Sequence, residues 1–151
     1  MNGKDYALLV GIDTYPKKSG LRALSGAQAD IAAFEAWLKS PENPNSANTK
    51  ITTIYPPPDV AQRKIYDALS ELLDEVKAAG GERPYARRLY LYFAGHGSLP
   101  PYSGAMSRLE AAYFPSDWTS KLSGAYVPLT EVTFSISARF YFEEVLLVSA
   151  K

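Results

Sequence analysis

Leu89-Tyr90-Leu91-Tyr92-Phe93-Ala94-Gly95-His96-Gly97-Ser98 is an apolar run that breaks into a glycine-flanked turn. An uninterrupted apolar run of this length reads as a strand buried on both faces, as in a parallel sheet, rather than as an alternating half-exposed strand. The turn carries His96, the single histidine of the chain. Glycine on both sides lets the backbone approach a bound molecule closely. An imidazole with an unperturbed pKa near ~6.5 suits proton transfer at neutral pH. Ligands of parallel α/β sheets sit at the carboxyl ends of strands, and His96 stands at one such end.

Upstream, residues 6–12 (Tyr-Ala-Leu-Leu-Val-Gly-Ile) form a second continuous apolar run. It ends at Asp13-Thr14-Tyr15-Pro16, where Pro16 blocks continuation, so Asp13 marks another strand end. Ser25 is placed to cap a helix over 27–39. Ile31, Phe34, Trp37 and Leu38 share one face of that helix. Asp30 falls in its first turn, where the helix dipole favours an anion. A β-branched strand is expected over 50–55, ended by Pro56-Pro57-Pro58. A long helix over 59–79 follows, with Ile65, Leu69, Leu72, Leu73 and Val76 as its buried stripe and Gly80-Gly81 as its stop. The charged stretch 82–88 reads as a solvated connection. The order β-α-β-α-β predicts an α/β fold, a mostly parallel central sheet with helices on both faces.

Downstream, 98–107 is a Pro- and Gly-containing loop, 111–115 a short extended piece and 116–118 a turn. A short helix is expected from 127 to about 139, and residues 143–149 repeat the buried-strand pattern. No internal repeat or linker divides residues 1–151, which read as a single domain.

The formal net charge is zero, with no basic block or acidic tail, so no nucleic-acid partner is expected. The longest apolar runs are too short to span a bilayer, so no membrane partner is expected either. The absence of cysteine removes disulfides and thiolate metal sites and fits the cytoplasm. With one histidine and no phosphate-binding loop, no metal and no cofactor is expected.

Residues 6–12, Leu24-Ser25-Gly26-Ala27-Gln28-Ala29-Asp30 and residues 91–97, in that order, resemble the large-subunit (p20-like) region of caspase/metacaspase-like cysteine peptidases. Tyr113-Phe114-Pro115-Ser116-Asp117 resembles the short strand and Pro-x-Asp that follow in that family. The resemblance implies a caspase-like three-layer sandwich and a Cys–His dyad that cleaves polypeptides. In it His96 is the general base, the backbone N–H of Gly97 belongs to the oxyanion hole, and Asp30 lines a substrate-binding pocket for Arg or Lys. That assignment is chemically coherent, because a thiolate attacking a peptide carbonyl needs a nearby imidazole and donors for the developing oxyanion.

The chain departs from the family at the nucleophile. The family places its cysteine ~50 residues after the histidine, in an Asp-x-Cys at the end of the next long strand. Here that strand reads Val145-Leu146-Leu147-Val148-Ser149-Ala150-Lys151. Lys151 or Ala150 stands at the cysteine position, depending on register. The chain therefore reads as a partial catalytic unit, incomplete on its small-subunit side: a fragment, a processed piece or a pseudo-peptidase. Two functions follow. One is a cysteine-endopeptidase domain that is inactive as it stands. The other is a non-catalytic interaction module that forms homo- or hetero-oligomers through its unfinished sheet edge. A flavodoxin-like domain binding a ligand near Asp13 and His96 is a third, weaker reading.

Overall fold

The computed structural model describes residues 3–55, 60–98, 112–119 and 126–150. Its main elements are β1 (Asp5–Gly11), α1 (Ala27–Lys39), β2 (Thr49–Ile54), α2 (Gln62–Gly80), β3 (Ala86–Ala94), β4 (Gly97–Ser98), β5 (Ala112–Tyr113), β6 (Val127–Pro128), α3 (Leu129–Ala138) and β7 (Phe142–Ala150). The two apolar runs of the sequence become the neighbouring strands β1 and β3. They lie at the centre of a four-stranded sheet of order β2-β1-β3-β7, parallel throughout.

Both faces of the central strands are covered, which is why their sequences do not alternate. Tyr6, Leu8 and Val10 of β1 and Leu89, Leu91 and Phe93 of β3 pack with residues of α2 and α3. Ala7 and Leu9 of β1, with Tyr90, Tyr92 and Ala94 of β3, pack with Ala27, Ile31 and Leu38 of α1. The architecture is thus α/β with helices on both sides of a parallel sheet. Each fully buried Leu or Phe of these strands contributes roughly 1.5–3 kcal/mol through apolar area removed from water.

The structure corrects the sequence-based expectations at several points. Strand β3 starts at Ala86 and not at Leu89, because the charges that suggested a solvated connection have partners in neighbouring strands. Arg87 clamps Asp5 of β1 with two hydrogen bonds, Nε to Oδ1 at 2.8 Å and Nη2 to Oδ2 at 2.6 Å, and the Asp5 residue is fully buried. This bond holds the Arg87 guanidinium pKa above its usual value. Arg88 reaches Glu144 of β7 (Nε to Oε2, 2.6 Å) and Tyr90 (Nη1 to Oη, 3.0 Å).

Strand β7 pairs only with β3 among the described residues, so it is an edge strand there. Val145 and Leu147 pack into the α2-side core, whereas Leu146 and Val148 keep 37% and 39% of their surface exposed. A small antiparallel sheet, order β4-β5-β6, was not foreseen, because two-residue strands leave no periodicity to read. The start expected for the long helix, at residue 59, and most of the 98–107 loop lie outside the described residues.

Arg87→Ala would leave a fully buried carboxylate without its cation. It is expected to cost about 2–3 kcal/mol, less than for a fully buried pair because the guanidinium side chain is 34% exposed. Urea unfolding would read this as a lowered midpoint with unchanged slope. Asp5→Leu combined with Arg87→Leu is expected to recover most of the loss. An Arg87→Ala midpoint equal to wild type would contradict the clamp.

Candidate functional site at the strand ends

Pairing brings the carboxyl ends of three strands level. Gly11 of β1 lies opposite Ala94 of β3, and Ala94 lies opposite Ala150 of β7. Two further bonds extend the alignment past the strands, from Ile12 N–H to Ala94 O (3.0 Å) and from Gly95 N–H to Ala150 O (3.0 Å). The β3–β4 turn carrying His96 thus sits between the loop after β1 and the last paired residue of β7.

The His96 imidazole is half-exposed, and its Nε2 lies 2.8 Å from the backbone carbonyl oxygen of Arg22. A carbonyl can only accept, so Nε2 is the donor in this contact, and in the neutral ring Nδ1 is the nitrogen free to accept a proton. The ring also packs against Tyr15, with centroids 5.2 Å apart at 59°.

Gly97 opens β4 opposite Tyr113 of β5. The bond from Phe114 N–H to His96 O (2.9 Å) makes His96 and Phe114 a hydrogen-bonding pair. By the alternation of antiparallel ladders, Gly97 and Tyr113 are then a non-bonded pair, and the Gly97 N–H points away from β5. A Cβ at Gly97 would lie 2.5 Å from Ala112 O, so no other residue fits there without moving β5.

Asp13, the other strand-end residue of the sequence analysis, is occupied structurally. Its Oδ1 accepts the Ala27 N–H (2.8 Å), its Oδ2 the Gln28 N–H (3.0 Å), and its backbone O the Leu24 N–H (2.7 Å). It caps α1 from the end of β1. This corrects the expectation for Ser25, since the N-cap position is Gly26 and no local side chain caps the helix. Helix α2 is served in the same way, its Gln62 N–H donating to Asp117 Oδ1 (3.0 Å).

Asp30 lies half-buried in the first turn of α1 and makes no ion pair among the described residues. Burial raises the Tyr92 phenol pKa, and the nearby Asp30 charge adds to that rise. No hydrogen bond joins Asp30 to His96 among the described residues.

The site has two further members whose role no sequence motif marks. Tyr15 and Tyr113 are both buried and lie on the floor of the turn. Tyr113 Oη donates to Ala94 O (3.1 Å), and Tyr15 Oη donates to Phe114 O (3.0 Å) while accepting the His96 N–H (2.9 Å). Burial is the main cause pushing the Tyr15 phenol up to about 12, against the His96 N–H, which lowers it; nearby Asp13 raises it further. Tyr15 is therefore a neutral hydroxyl at any physiological pH. The Arg22 contact is made by a backbone carbonyl, which no residue type announces.

No protein-family model and no curated protein sequence matches the chain. Chemically, the strand ends offer one oriented imidazole, one outward backbone N–H and an unpaired carboxylate on α1. Among the described residues no group of three or more His, Asp or Glu side chains is arranged to hold a metal ion, and no helix is long and apolar enough to cross a membrane. An open cleft of about 340 Å³ lies between α2 and α3, and a second lies along α2. Neither is lined by His96, Gly97 or Asp30.

Asp13→Ala removes both side-chain acceptors of the α1 N-terminus and is expected to cost about 1–2 kcal/mol. Asp13→Asn keeps one acceptor and should cost less. Thermal unfolding of the two variants checks the order. Equal midpoints for wild type and Asp13→Ala would contradict the capping role.

Proposed function

We propose that the chain is the histidine-bearing part of a caspase-like cysteine-endopeptidase scaffold that lacks its nucleophile and does not cleave peptides as it stands. The observation carrying this reading is the arrangement at the end of β3. There the His96 imidazole, held on Arg22 O, and Gly97, whose N–H points away from β5, follow directly on Ala94 and Gly95, the residues that meet Ala150 at the end of β7. In the proposed chemistry, His96 Nδ1 takes the proton of a thiol delivered from β7. The thiolate attacks the peptide carbonyl carbon, and the Gly97 N–H donates to the oxyanion. His96 returns the proton to the leaving amine, and water hydrolyses the resulting thioester. The unpaired Asp30 carboxylate suits an Arg or Lys side chain of the substrate. Of the two candidate positions for the cysteine, Ala150 already packs into the α1-side cluster, so position 151 is the one chosen for substitution. This chain has Lys there, so the sequence of steps cannot begin.

Installing the thiol tests the reading. Wild type is expected to leave fluorogenic peptides uncut, and Lys151→Cys to gain turnover after Arg or Lys. Adding His96→Ala should reduce that turnover by ~100-fold or more, and Asp30→Asn should weaken the preference for basic residues. A folded Lys151→Cys variant that cleaves nothing, or cleaves equally without His96, would overturn it.

The exposed Leu146 and Val148 on the edge strand β7 favour a second reading, a non-catalytic module that binds a protein partner or another copy of itself along β7. Sedimentation is then expected to show self-association that Val148→Lys abolishes. A monomer at every concentration would argue against self-pairing.

A further inference from the structure

The β4–β5 ladder has an insertion at its most consequential rung. His96 and Phe114 form a hydrogen-bonding pair, and such a pair exchanges two bonds in an unmodified ladder. One is present, from Phe114 N–H to His96 O. In place of the other stands the Tyr15 hydroxyl, which accepts the His96 N–H at 2.9 Å and donates its own O–H to Phe114 O at 3.0 Å. A direct bond would need nitrogen and oxygen ~2.9 Å apart. The phenol therefore wedges this rung open by the thickness of an oxygen atom.

The wedge is built in. Gly95 has φ +153°, and a Cβ there would lie 2.8 Å from Tyr15 Oη and 3.1 Å from Tyr113 Oη. The glycine ahead of the histidine is thus the seat of both phenols. The Tyr15 ring also flanks the imidazole directly.

We propose that Tyr15 is a positioning residue for the His96–Gly97 turn, its hydroxyl replacing a ladder bond so that the imidazole meets Arg22 O and the Gly97 N–H alone faces the strand ends. The purpose of this device rests on the peptidase reading; the geometry does not. Without the hydroxyl, the rung closes or the His96 N–H is left unpaired. In either case the imidazole shifts off its acceptor.

One histidine gives one imidazole, so nitrogen NMR reads the effect without assignment ambiguity. Above the pH at which His96 titrates, wild type is expected to show two widely separated ring-nitrogen resonances, the signature of a single tautomer protonated at Nε2. In Tyr15→Phe the two should converge as tautomers mix, and the His96 amide should exchange roughly tenfold faster. Tyr113→Phe deletes another buried hydroxyl at the same glycine. Its acceptor, Ala94 O, keeps the Ile12 N–H, so the ring signals should not move. Unchanged ring shifts in Tyr15→Phe, or equal shifts in both variants, would overturn the positioning role. Should Tyr15→Phe fail to fold, wild type alone still decides: a His96 amide exchanging at the rate of an open peptide overturns the bridge, and a protected one supports it. None of these readouts involves cleavage. A shifted Tyr15→Phe spectrum beside an inactive Lys151→Cys variant would therefore overturn the peptidase reading and leave the bridge standing.

Discussion

The structure depends on the register between β1 and β3. Leu8 opposite Leu91 and Gly11 opposite Ala94 bring the two strand ends level. That alignment lets Ile12 N–H reach Ala94 O and lets Tyr15, a few residues past β1, reach under the turn after β3. In a parallel sheet a one-residue slip would turn every side chain to the opposite face. Tyr6, Leu8 and Val10 would exchange places with Ala7 and Leu9, and neither core would be filled. Burial on both faces therefore fixes the register, and the register fixes where the strand-end loops meet.

Around that frame, polar groups do much of the joining. Both long helices begin without a local cap, and each borrows a carboxylate from a strand-end loop or turn: Asp13 for α1 and Asp117 for α2. The caps tie helix starts to the carboxyl end of the sheet, where the candidate site lies. The phenols of Tyr15 and Tyr113 do the same from within the core, spending their hydrogen bonds on backbone atoms of residues 94, 96 and 114. The lone imidazole is thus oriented by backbone and hydroxyl groups, with no carboxylate hydrogen-bonded to it among the described residues.

Features with a strong physical signature were legible in the sequence. Apolar runs gave β1 and β3, apolar spacing gave α1 and α2, and the glycine-flanked turn put His96 at a strand end. What was not legible depends on partners distant in sequence. Arg87 and Arg88 look like loop residues until Asp5 and Glu144 are placed beside them. Ser25 looks like a cap until Asp13 takes the two N–H groups it would have served. Tyr15 looks like a loop aromatic until β5 arrives almost a hundred residues later, and the Arg22 carbonyl has no side-chain signature at all. β7 reads as a buried strand because its apolar run is continuous, yet only Val145 and Leu147 of that run pack into the α2-side core.

In the proposed chemistry, His96 takes a proton from a thiol presented at the end of β7. The most direct measurement is the pH dependence of alkylation of a Lys151→Cys variant, whose single thiol reports alone because the chain has no other cysteine. With His96 present, the thiol should react as a thiolate well below the ~8.5 of a free cysteine, and His96→Ala should return its profile to that of a free cysteine. Identical profiles with and without His96 would contradict the account.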